Sequence, residues 1–205
     1  TIGEYAFMEC GLEGIDASTA EKIDKYAFVS NRLLSSVKLC EKTEEIGEGA
    51  FSYCDPLSTV ENINCVESIG DYAFAYTAIT SADLTGAVTI GRNAFIKEDY
   101  TPFTVKLGDD LEKVADNPFA MCIVKPFSKV EKQKEDGKET EKTVYTYEIS
   151  DTVFVIDGSL YCMNNNGMEL ITYAGIDNEN VVIADDTVRI TAYAFAGSDV
   201  VRVKM

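Results

Sequence analysis

The stretch IGEGAFSYCDPLSTV, residues 46–60, decides the fold because both of its halves recur along the chain. Its first half places a phenylalanine five positions after an aliphatic residue. Six further hexapeptides keep that spacing: IGEYAF (2–7), IDKYAF (23–28), IGDYAF (69–74), IGRNAF (90–95), VADNPF (114–119) and ITAYAF (190–195). From Phe7 to Phe119, the phenylalanines of successive hexapeptides lie 21 to 24 residues apart. Such a period indicates a repeat architecture.

The second half of the stretch contains an aliphatic pattern that also returns between the hexapeptides. It places two aliphatic residues three positions apart and usually a third one two positions later, as in Leu34, Val37 and Leu39. Alternation of inward and outward positions predicts a short strand. One short strand per repeat cannot bury its apolar side alone, so stacked coils should form a parallel sheet. The sequence therefore predicts one solenoid domain over residues 1–205, with little regular helix.

A small or polar residue lies three positions after each repeat phenylalanine: Cys10, Asn31, Cys54, Thr77, Glu98, Cys122 and Ser198. At the turn into the next strand, such a side chain can satisfy backbone groups that neighbouring strands leave unpaired. We therefore predict a structural role for these cysteines. The six cysteines contain no CxxC pair, which disfavours a zinc ribbon or a thioredoxin-type site. Their even number permits three disulfides, but free thiols are favoured because the cysteine content is low. The glycine after the first aliphatic residue, as at Gly47, is expected to mark a tight corner or a positive φ.

The combined pattern IG-x-x-AF-x-x-C-x-x-L-x-x-V-x-L resembles the BspA-like leucine-rich repeat family of bacterial cell-surface proteins. The resemblance covers about residues 1–122 and 150–205. It implies a right-handed leucine-rich-repeat solenoid with one short parallel strand per repeat. It also implies a secreted or cell-wall-attached protein, because most members of the family are found there. Some members are adhesins that bind host matrix proteins or other cells. The family has no catalytic residues that could be carried over.

The repeat is interrupted after residue 122. Residues 124–150 are predicted to form an inserted β-hairpin, because Asp136-Gly137 is a type I′ turn signal and a stretch rich in β-formers follows. The candidate contact residues of this arm are Lys129, Lys132, Lys134, Lys138 and Lys142. One interpretation is a contact arm that reaches a partner. The other is that Lys and Glu only deter strand pairing at an exposed edge.

After the arm, residues 151–180 resemble the variant long repeat of the family, and residues 181–205 resemble a last ordinary repeat. Turn signals at Asp157-Gly158 and Asn166-Gly167 separate three predicted strands within the variant repeat. This segment is therefore expected to be a β-meander that returns the chain to the solenoid.

Composition excludes most catalytic chemistry. The chain carries 18 Lys and Arg against 35 Asp and Glu, a formal net charge of −17, and it has no histidine. Histidine-dependent catalysis and histidine-ligated metal sites are therefore excluded, and the acidic balance disfavours nucleic acid. The pairs Asp109-Asp110 and Asp185-Asp186 follow repeat strands, so we interpret them as turn residues rather than a glycosidase pair or calcium ligands. We predict no enzyme activity, no cofactor, no metal site and no membrane insertion.

The outward positions of the repeat strands are the predicted binding surface: Asp16, Ser36, Lys38, Thr59, Glu61, Ser81, Asp83 and Lys106. They are polar, of mixed charge and without an aromatic ladder. This favours a protein partner, such as a host matrix or cell-surface protein, over carbohydrate or single-stranded nucleic acid. The alternative is a non-binding spacer that displays another domain at the cell surface. Because both ends lack a polar cap, we expect either a longer protein or end-to-end self-association.

Overall fold

The computed structural model describes residues 1–135, 138–174, 180–195, 198–200 and 202–205. The predicted solenoid is confirmed. Each regular coil contributes one strand to a parallel sheet, here called the strand face, on which residues of successive coils lie in register. Its strands are β1 (Gly14–Ala17), β3 (Ser36–Leu39), β5 (Thr59–Glu61), β7 (Ser81–Leu84), β9 (Thr101–Leu107) and β11 (Cys122–Val124).

The strand face is divided between β5 and β7, where the aliphatic pattern of the sequence fails. Asn62 replaces the third aliphatic residue of that repeat and adopts a φ of 63°, so β5 ends early. Its Nδ2 donates instead to the Leu39 carbonyl oxygen at 2.9 Å. A 3₁₀ helix, Ile63–Cys65, follows and is the only helix among the described residues.

Each regular coil carries a second, two-residue strand that the sequence did not predict. These strands form a parallel sheet on another side of the coils: β2 (Lys22–Ile23), β4 (Glu45–Ile46), β6 (Ser68–Ile69), β8 (Thr89–Ile90) and β10 (Lys113–Val114). In each one the aliphatic residue is buried and its predecessor is more exposed. The first residue of the hexapeptide is therefore a core position at the end of a strand.

The rest of the hexapeptide forms a tight turn, and these turns stack on one another through backbone hydrogen bonds. Tyr26 N donates to Glu48 O at 2.8 Å and Phe28 N donates to Ala50 O at 2.8 Å, and the same bonds recur in neighbouring coils. We call this side of the solenoid the turn face. The fourth residue of the hexapeptide has a positive φ, as at Tyr26 (55°) and Gly49 (58°).

The glycine at the second position of the hexapeptide does not adopt a positive φ, and it has a different role. A Cβ built on Gly91 would lie 2.4 Å from Asp71 N of the preceding coil, and Gly47 and Gly70 meet backbone just as closely. The expected positive φ is therefore wrong for this position. Glycine is needed here because two coils approach each other too closely for a side chain.

The repeat phenylalanines form a continuous stack along the axis of the solenoid. Phe28, Phe51 and Phe74 are buried, with ring centroids 5.2 to 5.3 Å apart and interplanar angles of 3° to 6°. Phe95 and Phe119 extend the same stack. Offset stacking of this kind adds to the free energy gained from burying the rings, so the stack is the main element of the core.

In most coils the side chain three positions after the repeat phenylalanine donates a hydrogen bond to a backbone carbonyl oxygen, as predicted. We call these side chains the caps. Thr77 Oγ1 donates to Phe74 O at 2.9 Å and Ser198 Oγ donates to Phe195 O at 2.8 Å within their own coils. Cys54 and Cys122 reach the preceding coil, where their thiols donate to Phe28 O at 3.2 Å and to Phe95 O at 3.4 Å. The cysteine caps therefore hold the loops of adjacent coils together.

The inserted segment contains a hairpin followed by a meander. The hairpin consists of β12 (Lys129–Glu135) and β13 (Lys138–Val144), and its predicted Asp136-Gly137 turn lies outside the described residues. The meander consists of β14 (Tyr147–Glu148), β15 (Val153–Ile156), β16 (Ser159–Asn164) and β17 (Gly167–Thr172). Its last strand pairs in parallel with β19 (Thr187–Ile190), while β18 (Val181–Val182) pairs with β20 (Val203–Lys204).

Candidate interaction surfaces

The predicted strand-face residues lie in two columns that run across the coils. One column places Ser36 beside Thr59, and the other places Lys38 between Asp16 and Glu61. Beyond the break in the sheet, Ser81 faces Thr104 and Asp83 faces Lys106. Acidic and basic residues therefore alternate within each part of the strand face, so neighbouring charges offset each other there, whereas Glu61 and Asp83 on the two sides of the break are both acidic.

The aspartates of this face also serve the turns that follow their strands. Asp16 accepts a hydrogen bond from Ser18 N at 3.0 Å, and its hydrogen bonds with Ser18 lower the pKa of its carboxyl group. Asp83 accepts one from Thr85 Oγ1 at 2.7 Å and pairs with Lys106 at 3.2 Å. Partial burial opposes ionisation of Asp83, but these partners outweigh it and lower its pKa. Both aspartates are therefore ionised and held in place at neutral pH.

The arm lysines face glutamates across the hairpin. The register places Lys142 opposite Glu131 and Lys132 opposite Glu141, and Lys134 faces Glu139 in the same way. Opposite charges at facing positions of an antiparallel pair stabilise it. The charges of the arm are thus balanced internally. The side chain of Lys138 lies outside the described part of the chain.

Lys129 has a separate place at the base of the arm. Its Nζ lies 3.2 Å from Glu131 Oε1 and 4.9 Å from the centre of the Tyr147 ring. A cation at that distance over an aromatic face is attracted to it. Lys129 therefore connects the arm to the first strand of the meander, and the structure separates it from the lysines nearer the tip.

Lys97 is a buried cation that the sequence analysis missed. Its Nζ donates to Thr77 O at 2.6 Å and lies 5.6 Å from the centre of the Phe103 ring. Burial lowers its pKa to about 8. The predicted cap at Glu98 is wrong, because Glu98 is exposed and Lys97 bonds the carbonyl of the preceding coil.

The buried thiols are poorly suited to act as catalytic nucleophiles. All six cysteines are free in the structure, and Cys54, Cys122 and Cys162 are buried. Burial raises the pKa of Cys54 to about 11 and that of Cys122 to about 12, so both thiols are protonated and poorly nucleophilic at neutral pH. Within the described ranges, no group of three or more Cys, Asp and Glu side chains is placed to hold a metal ion.

A cleft of about 620 Å³ separates β10 from the meander. Arg189 lies beside it and joins the two parts, with contacts of 2.6 Å to Asp116 and 3.4 Å to the largely buried Glu169. Arg189 therefore compensates the negative charge of Glu169 and helps to hold the last coil against the regular repeats.

None of the described helices is long and apolar enough to cross a membrane.

Tyrosines that are exposed, or half-buried in the case of Tyr76, lie on the turn face, where the sequence analysis predicted no interaction. Tyr53, Tyr72, Tyr76 and Tyr193, here called the tyrosine surface, occupy the fourth position of the hexapeptide or the second position after its phenylalanine. The rings of Tyr53 and Tyr76 stack with centroids 4.7 Å apart. The signal was present in the sequence, because tyrosine recurs at these two repeat positions.

Comparison with solved structures confirms the fold. A leucine-rich repeat protein from Eubacterium ventriosum has a TM-score of 0.67 and 17% identity, covering 95% of this chain and 48% of its own. A leucine rich cell surface protein from Faecalibacterium prausnitzii has a TM-score of 0.59 and 20% identity, covering 94% of this chain and 54% of its own. The chain therefore spans about half the length of these two proteins.

Comparison with curated protein sequences finds no match. The family of BspA type leucine rich repeat regions matches residues 1–125 in 6 copies, which is more than half of the chain. This match covers the coils whose stacked phenylalanines, polar caps and paired strands are described above. The chain belongs to the BspA-type leucine-rich repeat family.

Proposed function

We propose that the chain is an extracellular, cell-surface repeat module that binds another protein through its strand face. The observation that carries this proposal is the pair of registered columns around Lys38, which present exposed polar side chains on consecutive strands. A broad, solvent-facing sheet of this kind is the surface that solenoid proteins use for binding. The description of the Faecalibacterium protein as a cell surface protein supports the proposed location.

The proposed partner is a host matrix protein or a surface protein of a neighbouring cell, which makes adhesion the biological role. The strand face suits a protein partner because its charges alternate from β1 to β5 and its small hydroxyl residues, Ser36 and Thr59, can donate and accept hydrogen bonds. Complementary charge patterns confer specificity and faster association more than raw affinity. We therefore expect binding of moderate affinity that depends on the order of charges along the columns.

A second function is favoured by the same alternation. If Lys38 and Lys106 only neutralise their acidic neighbours, the face is merely soluble and the chain is a spacer that displays another domain.

Self-association through the coil ends is a further proposal, since the Phe7 ring stacks on Phe28 and leaves its other side partly exposed. Light scattering over a range of concentrations tests it, and a monomer throughout contradicts it.

The proposed function is tested with an array of purified matrix and bacterial surface proteins. Three proteins are compared: the native chain, a variant whose arm is shortened by replacing residues 131–142 with a two-glycine turn, and Lys38→Glu. Binding that survives arm shortening and weakens in Lys38→Glu supports the strand face. Binding lost only on shortening assigns the contact to the arm lysines instead. Absence of any partner above background contradicts a binding role and supports the spacer.

A further inference from the structure

The tyrosine surface is a compact group on the turn face rather than four unrelated side chains. Tyr53 and Tyr76 stack, and Tyr72 OH accepts a hydrogen bond from Asn93 Nδ2 at 2.9 Å. Partial burial raises the pKa of Tyr76, and the neighbouring phenols of Tyr53 and Tyr72, the Glu98 carboxylate and Tyr193 raise it further. All of these groups therefore lie close enough to Tyr76 to influence its ionisation.

The turn itself does not require tyrosine at these positions. The φ angles of Tyr53, Tyr72, Tyr76 and Tyr193 are 57°, 56°, 58° and 63°. A bulky residue with a left-handed backbone is disfavoured relative to Gly or Asn. Other coils carry Gly49, Asn93 and Asn117 at the position of Tyr72 and Tyr193, and Glu9, Ser30 and Met121 at the position of Tyr53 and Tyr76, so the turn forms without an aromatic side chain. Strain that the fold does not require points to a role for the side chain.

The rings are also not needed to fill the core. The stacked phenylalanines occupy the interior, whereas Tyr53 is 46% exposed, Tyr72 is 37% exposed and Tyr193 is 60% exposed. Tyrosine is enriched in protein-binding surfaces because it offers a large contact area at a low cost in conformational entropy. Stacking and hydrogen bonding hold Tyr53 and Tyr72 in place before any partner arrives, which further reduces that cost.

The charge around the surface identifies the kind of partner. Asp55, Glu98 and Asp99 are exposed in loops that follow the turns, and none of them forms an ion pair with another described residue. The basic residue of the same repeat column, Lys97, is buried and donates to Thr77 O, so it does not present its charge at the surface. Arg92, whose carbonyl oxygen accepts a hydrogen bond from Tyr72 N, is exposed and offsets one of these three negative charges. Aromatic rings beside the remaining negative charge attract cationic side chains.

Ring orientation disfavours a carbohydrate as the occupant. Tyr53 and Tyr76 cover one face of each other, with an interplanar angle of 23°, so they present edges and hydroxyl groups rather than a flat platform. Tyr72 and Tyr193 have no ring partner in the part of the chain that the structure describes, and both residues are exposed, so each can meet a guanidinium or ammonium group. Single exposed rings suit cation–π contacts.

We propose that the tyrosine surface binds segments of a partner protein that carry Arg and Lys side chains. It lies on the turn face and shares no residue with the strand face. The inference therefore goes beyond the proposed function, and either one can fail without the other.

The test measures the affinity of a nona-arginine peptide for the native chain and for Tyr72→Asn/Tyr193→Asn at fixed ionic strength. Asparagine is the residue of neighbouring coils at this position, so the turn is preserved and the net charge is unchanged. Tyr5→Asn is the matched control, because Tyr5 has the same repeat position and a φ of 55° but lies in the first coil. Thermal unfolding verifies that both variants are folded.

We expect the double variant to bind the peptide about tenfold more weakly than the native chain, because two cation–π contacts are lost. The Tyr5→Asn variant should bind within about twofold of it. Equal affinity of the native chain and the double variant would overturn the proposal. So would an equal loss in the Tyr5→Asn control. If the double variant loses binding of cellohexaose or of a thymidine oligonucleotide but keeps its affinity for the peptide, the surface belongs to that other ligand and the proposal is wrong.

Discussion

Asn31 bonds across two coils, and its Nδ2 donates to the Phe7 carbonyl oxygen of the preceding coil at 2.7 Å. The same Nδ2 donates to Phe28 O at 2.8 Å, and Asn31 Oδ1 accepts a hydrogen bond from Leu12 N at 3.3 Å. One fully buried amide therefore satisfies three backbone groups. A thiol at the equivalent position, Cys54, bonds only one carbonyl oxygen.

Asn31→Ala is expected to destabilise the fold because it leaves these backbone groups without partners. The loss in the free energy of unfolding should be about 2–4 kcal/mol, measured by urea denaturation. Asn64→Ala is the control, because Asn64 is exposed, and its unfolding free energy should stay within about 0.5 kcal/mol of the native value. An Asn31→Ala variant as stable as this control would contradict the role of the cap.

Phe51→Ala tests the aromatic core. The ring is fully buried between Phe28 and Phe74, so its removal should leave a cavity and lower the free energy of unfolding by about 3–5 kcal/mol. Phe7→Ala removes the same side chain from the first coil, where the ring is 41% exposed, and the loss there should be clearly smaller. Equal losses at the two positions would contradict the importance of burying the ring between two neighbours in the stack.

Burial of Lys97 should make the free energy of unfolding depend on pH. Its pKa in the folded chain is about 8, below the ordinary value of 10.5, so the unfolded chain binds this proton more tightly. The buried ammonium therefore costs stability below about pH 8, and the cost is relieved as the pH rises towards 10.5. Between pH 7 and pH 10, the native chain should gain about 2 kcal/mol in unfolding free energy relative to Lys97→Met.

The control for this comparison is Lys38→Met, which removes an exposed lysine from the strand face. Chemical denaturation at several pH values provides the measurement. If the native and Lys97→Met curves run parallel, Lys97 has an ordinary pKa and burial does not act as described.

The arm allows a test by exchange of charges. Lys132→Glu places two acidic residues opposite each other at Glu141 and should weaken the hairpin by about 0.5 kcal/mol, seen as faster amide hydrogen exchange in β12 and β13. Adding Glu141→Lys should restore protection. If the single variant leaves exchange unchanged, the facing charges do not stabilise the arm.

The sequence predicts the coil well because the repeat supplies the same signal several times. The strand of Leu34, Val37 and Leu39, the buried phenylalanines and the cap at Asn31 all follow from spacing. The second strand, as at Glu45–Ile46, could not be predicted in this way, because two residues are too few to show alternation. It exists because stacking of the coils brings equivalent residues together.

The functional surfaces were harder to predict. The outward positions near Lys38 follow from strand alternation, but the tyrosine surface depends on a left-handed turn, which directs the side chains of Tyr53 and Tyr72 to the outside. Gly49, Asn93 and Asn117 at matching positions did signal that turn, because these residues favour a positive φ. The inward orientation of Lys97 carried no such signal, since Glu98 occupies the expected cap position.

The central claim is that the strand face binds a protein. The most direct test measures the affinity of a partner captured on the array for two charge-reversal variants of the chain. Lys38→Glu changes the middle of the Asp16–Glu61 column, whereas Lys42→Glu makes the same change in an exposed loop. We predict at least a fivefold loss of affinity for Lys38→Glu, about 1 kcal/mol, and an affinity close to native for Lys42→Glu. Equal affinities of the two variants would contradict the claim.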